Sequence, residues 1–124
     1  MCSDSTTESI KPRGSIMKDG LYAVNFRSNL QDFGSGIVSV KNDAINGGDY
    51  GFYYQGRVID NKIKLSVRHY NPQAQSVFGN INNFHLNLNV VEKAEGYYEL
   101  SGSMEGQPQL ILTVTAKLQA ALVA

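Results

Sequence analysis

The sequence predicts an all-β domain: a small antiparallel up-and-down barrel of about seven or eight strands behind a flexible N-terminal tail. Three observations lead there. Apolar and polar residues alternate over short runs, the period of a strand with one dry face. Turn signals separate the runs at intervals of about eight to twelve residues. No stretch of useful length carries a helical period, apart from a candidate terminal turn at Leu118–Val123. Closing the sheet removes its exposed edges, which selects a barrel over an open sheet.

Residues 1–16 read as the tail, because Ser, Thr, Glu, Lys, Pro and Gly leave almost nothing to bury. The patterned domain spans 17–124, and Met17 is a candidate second start. In Leu21–Phe26 the side chains of Tyr22, Val24 and Phe26 share a face. Gly34–Val40 is a second strand, and Lys41-Asn42-Asp43 turns the chain. Ala44–Asp49 follows, with Gly47-Gly48 expected to make a bend or bulge.

Tyr50–Ile59 and Lys62–Tyr70 form the clearest hairpin, joined at Asp60-Asn61, residue types that tolerate positive φ. Ile63, Leu65 and Val67 face one way there, and Lys64, Ser66 and Arg68 the other. Asn71-Pro72 ends that strand, and 72–82 make a longer polar connection with room for one helical turn. Phe84, Leu86, Leu88 and Val90 then alternate with His85, Asn87 and Asn89. Beyond the turn at Ala94-Glu95-Gly96, Tyr98, Leu100, Gly102 and Met104 share a face. After Glu105-Gly106-Gln107-Pro108 the last strand, Gln109–Leu118, turns Leu110, Leu112, Val114, Ala116 and Leu118 one way.

The totals exclude several classes of function. With 124 residues and 42% apolar composition, the chain can bury one core without a metal or disulfide. Eleven basic residues balance eleven acidic ones, so the surplus that drives phosphate-led nucleic-acid binding is missing from the total, which leaves a local basic patch open. A polybasic membrane anchor is disfavoured on the same ground. Cys2 has no internal partner, and the polar residues around it lack the apolar segment of a secretory or lipoprotein signal. The expected location is the cytoplasm.

Catalytic patterns are equally sparse. No Gly-x-Ser-x-Gly elbow occurs, and no helix follows the glycine pairs to make a phosphate cradle. Asp49, Asp60, Glu92, Glu95 and Glu99 are scattered as solvated charge. His69 and His85 are placed on polar strand faces without metal-ligand spacing around them. Neither a catalytic residue, a metal ligand nor a cofactor is expected. The tyrosines at 50, 53, 54, 70, 97 and 98 suit cross-strand packing more than recognition. The apolar end, Leu118 to Ala124, needs cover, and Leu118 and Leu122 are the candidate dimer contacts.

Met17-Lys18-Asp19-Gly20, Tyr22, Phe26 and Ser28-Asn29 resemble the start of the GrlR family, small negative regulators of type III secretion genes. The likeness continues through Gly34-x-Gly36-Ile37, Gly47-Gly48-Asp49, Tyr54-Gln55-Gly56, Tyr70-Asn71 and Ser76-Val77, and more weakly from Phe84 to Ala116-Lys117. It covers about residues 16–118, mostly turn glycines and strand aromatics, which specify fold more than function. The resemblance implies a lipocalin-like barrel, a homodimer and no enzymatic activity. It also implies a protein partner, a helix-turn-helix transcriptional activator held away from DNA, so that the barrel itself need not touch nucleic acid.

The family carries an acidic Glu-Asp-Glu-Asp run in the hairpin after Tyr-Gln-Gly. Here that stretch is Val58-Ile59-Asp60-Asn61-Lys62-Ile63, with one acid and one base. Asp60, Asn61 and Lys62 are the candidate partner-binding residues. The alternative function is a carrier or sensor of a small apolar ligand, with Tyr22, Phe26, Tyr54 and Phe84 as the candidate cavity wall.

Overall fold

The structure, a computed structural model, describes residues 17–29, 34–74 and 83–123. The expected tail, 1–16, and most of the 72–82 connection lie outside the described residues. Eight strands follow in chain order: β1 (Gly20–Ser28), β2 (Gly34–Lys41), β3 (Ala44–Gly48), β4 (Phe52–Ile59), β5 (Lys62–His69), β6 (Asn83–Ala94), β7 (Tyr97–Met104) and β8 (Gln107–Ala120). Each pairs antiparallel with the next, and β8 returns to β1 to close the barrel. The fold is the all-β up-and-down barrel that the alternation predicts, and no helix occurs among the described residues.

The tight turns use the residue types the geometry requires. Asn42 and Asp43 both take positive φ, 51° and 68°, between β2 and β3. Their short polar side chains tolerate the left-handed region, and a turn of that hand matches strand twist. At the β4–β5 turn Asp60 alone takes positive φ, 57°.

Three local expectations are corrected. Leu118–Val123 is not a helical turn, because β8 runs on to Ala120, which pairs with Leu21 of β1. Closing the barrel gives those residues a hydrogen-bonding strand that no local pattern reveals. Gly47 and Gly48 form no bulge: they hold regular register with Val38 and Ile37 on one side and Tyr54 and Tyr53 on the other. Gly47 lacks a side chain because a Cβ there would lie 2.2 Å from the Ile37 carbonyl oxygen. Tyr50 precedes β4, because Asp49 takes the chain into a turn first.

The inner face holds one continuous core. Val24, Val38, Val58, Val67, Leu86 and Leu112, among others, meet inside the barrel. One end is sealed by Met17, only 1% exposed, and by the buried rings of Tyr22 and Tyr98, 5.9 Å apart. The Tyr22 hydroxyl donates to the Lys18 carbonyl oxygen at 2.7 Å, and the Lys18 amide donates to the Tyr98 hydroxyl at 3.3 Å. Buried phenols need such partners, and these fix the chain across the barrel end.

Candidate functional site

A cavity of about 70 Å³ remains among the inward side chains. Phe26, Tyr54 and Phe84 line it, with Val24, Leu86 and Val114. Tyr22, the fourth candidate wall residue, is held at the sealed end by its bond to Lys18 and does not line the space. An eight-stranded barrel either fills with side chains or holds one small ligand, and here the side chains leave only a small void. For comparison, an apolar cavity of about 150 Å³ takes a ring the size of benzene.

The polar edge of the cavity is Asp49, between β3 and β4. Its Oδ1 accepts the amides of Gly51 and Phe52, both at 2.8 Å, and its Oδ2 accepts the Tyr54 hydroxyl. Its carbonyl oxygen accepts the Tyr70 hydroxyl. Burial, with the Asp49 hydrogen bond behind it, pushes the Tyr54 phenol far above its ordinary range. The pair is a clasp: the carboxylate has its donors, and the phenol stays protonated and is no base.

The histidines lie on opposite sides of the wall. His69 follows Val67 by two residues and therefore faces inward, correcting its expected place on the polar face. Its ring lies 4.8 Å from that of Phe52, and its Nε2 is 2.9 Å from the Ala74 carbonyl oxygen. His85 is exposed on the outside. No group of three or more His, Cys, Asp or Glu capable of holding a metal occurs among the described residues.

The tyrosines divide by strand face. Tyr22, Tyr54 and Tyr98 are buried in the core, whereas Tyr50, Tyr53 and Tyr70 are exposed outside, with the last two rings 6.5 Å apart. Asp60, Asn61 and Lys62 are all exposed at the β4–β5 turn. The Asn61 carbonyl oxygen accepts the Val90 amide at 2.8 Å, and Lys62 Nζ donates to Asn89 Oδ1 at 2.9 Å. The turn is thereby tied to β6 and borders an open groove of about 370 Å³ lined by Arg57, Asp60, Lys62, Lys64, Asn87 and Asn89.

Sequence reasoning placed Lys64 and Arg68 on one strand face, but not the grouping of Arg57 with Lys62 and Lys64. The missing signal is register: Arg57 pairs with Lys64, and Lys64 with Asn87. Leu118 packs against its own core, while Leu122 lies past β8, half-buried beside the exposed Val123. No helix among the described residues is long and apolar enough to cross a membrane. No protein-family model matches the chain, and no curated protein matches it.

Proposed function

We propose that this protein is a non-enzymatic regulatory binding protein that captures a partner protein on the outside of its barrel. The observation that carries the reading is the occupied interior: about 70 Å³ is left inside, and the polar groups at its edge are engaged with each other. Recognition chemistry is then left to the outer wall. The resemblance to GrlR-type regulators supplies the class of partner, a helix-turn-helix transcriptional activator. A charged outer wall around an apolar interior reverses the arrangement of a membrane barrel and supports a place in water, which we assign to the cytoplasm.

The test is a mobility-shift assay with such an activator from the same host and its operator DNA. Added barrel protein releases the DNA and co-elutes with the activator. Intact activator–DNA complexes at saturating barrel protein, with no co-elution, reject the reading.

A homodimer belongs to the same proposal, and Leu122 is the contact to examine because Leu118 is engaged by its own barrel. Leu122→Asp lowers the light-scattering mass to that of the monomer; an unchanged dimer mass removes this contact.

The apolar cavity supports a second, narrower reading, a sensor of a very small apolar ligand. Native mass spectrometry of freshly purified protein shows a bound apolar compound if it holds, and bare chain if it does not.

A further inference from the structure

The charges that cancel in the total do not cancel across the surface. Strands β3, β4 and β5 and positions 83–89 of β6 contain Arg57, Lys62, Lys64 and Arg68 and not one Asp or Glu. All four cations alternate outward, opposite to the buried Val58, Ile63 and Val67. The amide side chains of Asn46, Gln55, Asn87 and Asn89 lie between and beside them. Asp60 sits at the turn ending this wall, and Glu105 borders it, 3.4 Å from Lys64.

A second observation points the same way. Arg57 and Lys64 are directly opposed across the β4–β5 ladder. Like charges in that relation destabilise a sheet, so their placement works against the fold. Among the described residues, Arg57 and Lys62 meet no carboxylate within salt-bridge distance. At the turn, Ile59 is 65% exposed beside these cations, an apolar anchor within a positive field.

We propose that the outer wall of β4, β5 and β6 is a docking surface for an acidic polypeptide segment, engaged by Arg57, Lys62, Lys64 and Arg68. This rests on the regulatory reading above and gives the partner's surface a sign. The activator is held by an acidic region and not by its basic DNA-reading face. Positive potential attracts carboxylates and steers their approach. The amides offer donors and acceptors together, which matches peptide backbone. Nucleic acid fits less well: the exposed rings near these cations, Tyr53, Tyr70 and His85, gather toward the Arg68 end of the wall, and none pairs with Arg57, Lys62 or Lys64, where single-stranded binding would need stacking rings.

The probe is a fluorescent oligoglutamate peptide of about eight residues, long enough to span a strand of about 26 Å. An oligothymidylate of matched charge is the competitor. Anisotropy at low salt gives saturable peptide binding that weakens as salt is added. R57E/K64E weakens it by about tenfold or more, whereas K117E, on the opposite wall, leaves it unchanged. Circular dichroism melting confirms that both variants fold; if R57E/K64E does not, K62E replaces it. Absent peptide binding, or equal loss in K117E, overturns the proposal. Oligothymidylate bound more tightly than the peptide, and lost in R57E/K64E, overturns it in favour of nucleic acid. If R57E/K64E still strips the activator from its operator, this wall is not the contact and the regulatory reading stands.

Discussion

Asp49 does more for the fold than its place between two strands suggests. One carboxylate accepts two backbone amides and a buried phenol. Asp49→Ala leaves those donors short of acceptors at a half-buried site and costs about 2–4 kcal/mol in urea unfolding. A loss near zero means that water replaces the carboxylate. Tyr22 and Tyr54 make a pH prediction. Burial raises both phenols, the more so beside Tyr98 for one and Asp49 for the other. The folded chain therefore binds their protons more tightly than the unfolded chain does. That contribution to stability is whole below the ordinary tyrosine value of 10.0 and declines as pH rises above it. In a tyrosinate absorbance titration these two phenols ionise only as the barrel unfolds. One smooth titration of all tyrosines with the fold intact contradicts this.

Among the strands, legibility followed periodicity. β5 was readable from Ile63, Leu65 and Val67 alone, because alternation is a local property of an extended chain. Applied consistently, the same parity places His69 inside with them. Gly47 was not readable as a close contact, since its reason is the neighbouring strand: the Ile37 carbonyl oxygen occupies the space a Cβ would need. Gly102 is a second case, where an added Cβ would lie 1.8 Å from the Asn87 carbonyl oxygen. Gly47→Ala must push β2 and β3 apart and costs about 1–3 kcal/mol by chemical denaturation. A neutral result shows that the two strands separate without penalty. The basic wall was hidden for the same reason, because Arg57 meets Lys64 only once register is fixed.

At the scale of the whole molecule, a net charge of zero proved a poor guide to the surface. A total carries no positions, and β3, β4 and β5 hold no carboxylate. The exclusion of phosphate-led binding rested on that total, which makes the oligothymidylate competition the direct check. The cavity was half legible. Phe26, Tyr54 and Phe84 share inward parity and line it. Tyr22 has the same parity but a different depth, and depth along the axis depends on strand stagger, which no single strand encodes.

The pairing of β1 with β8 joins residues as distant as Leu21 and Ala120. A nascent chain therefore keeps the ring open until β8 has been made. Until the final stave emerges from the ribosome, β1 and β7 both present bare ladders to whatever is nearby. Such long-range closure is slow, which lengthens the exposure. A chain truncated before Gln107 leaves both edges open for good, and it sediments as aggregate where the full-length chain stays in the supernatant.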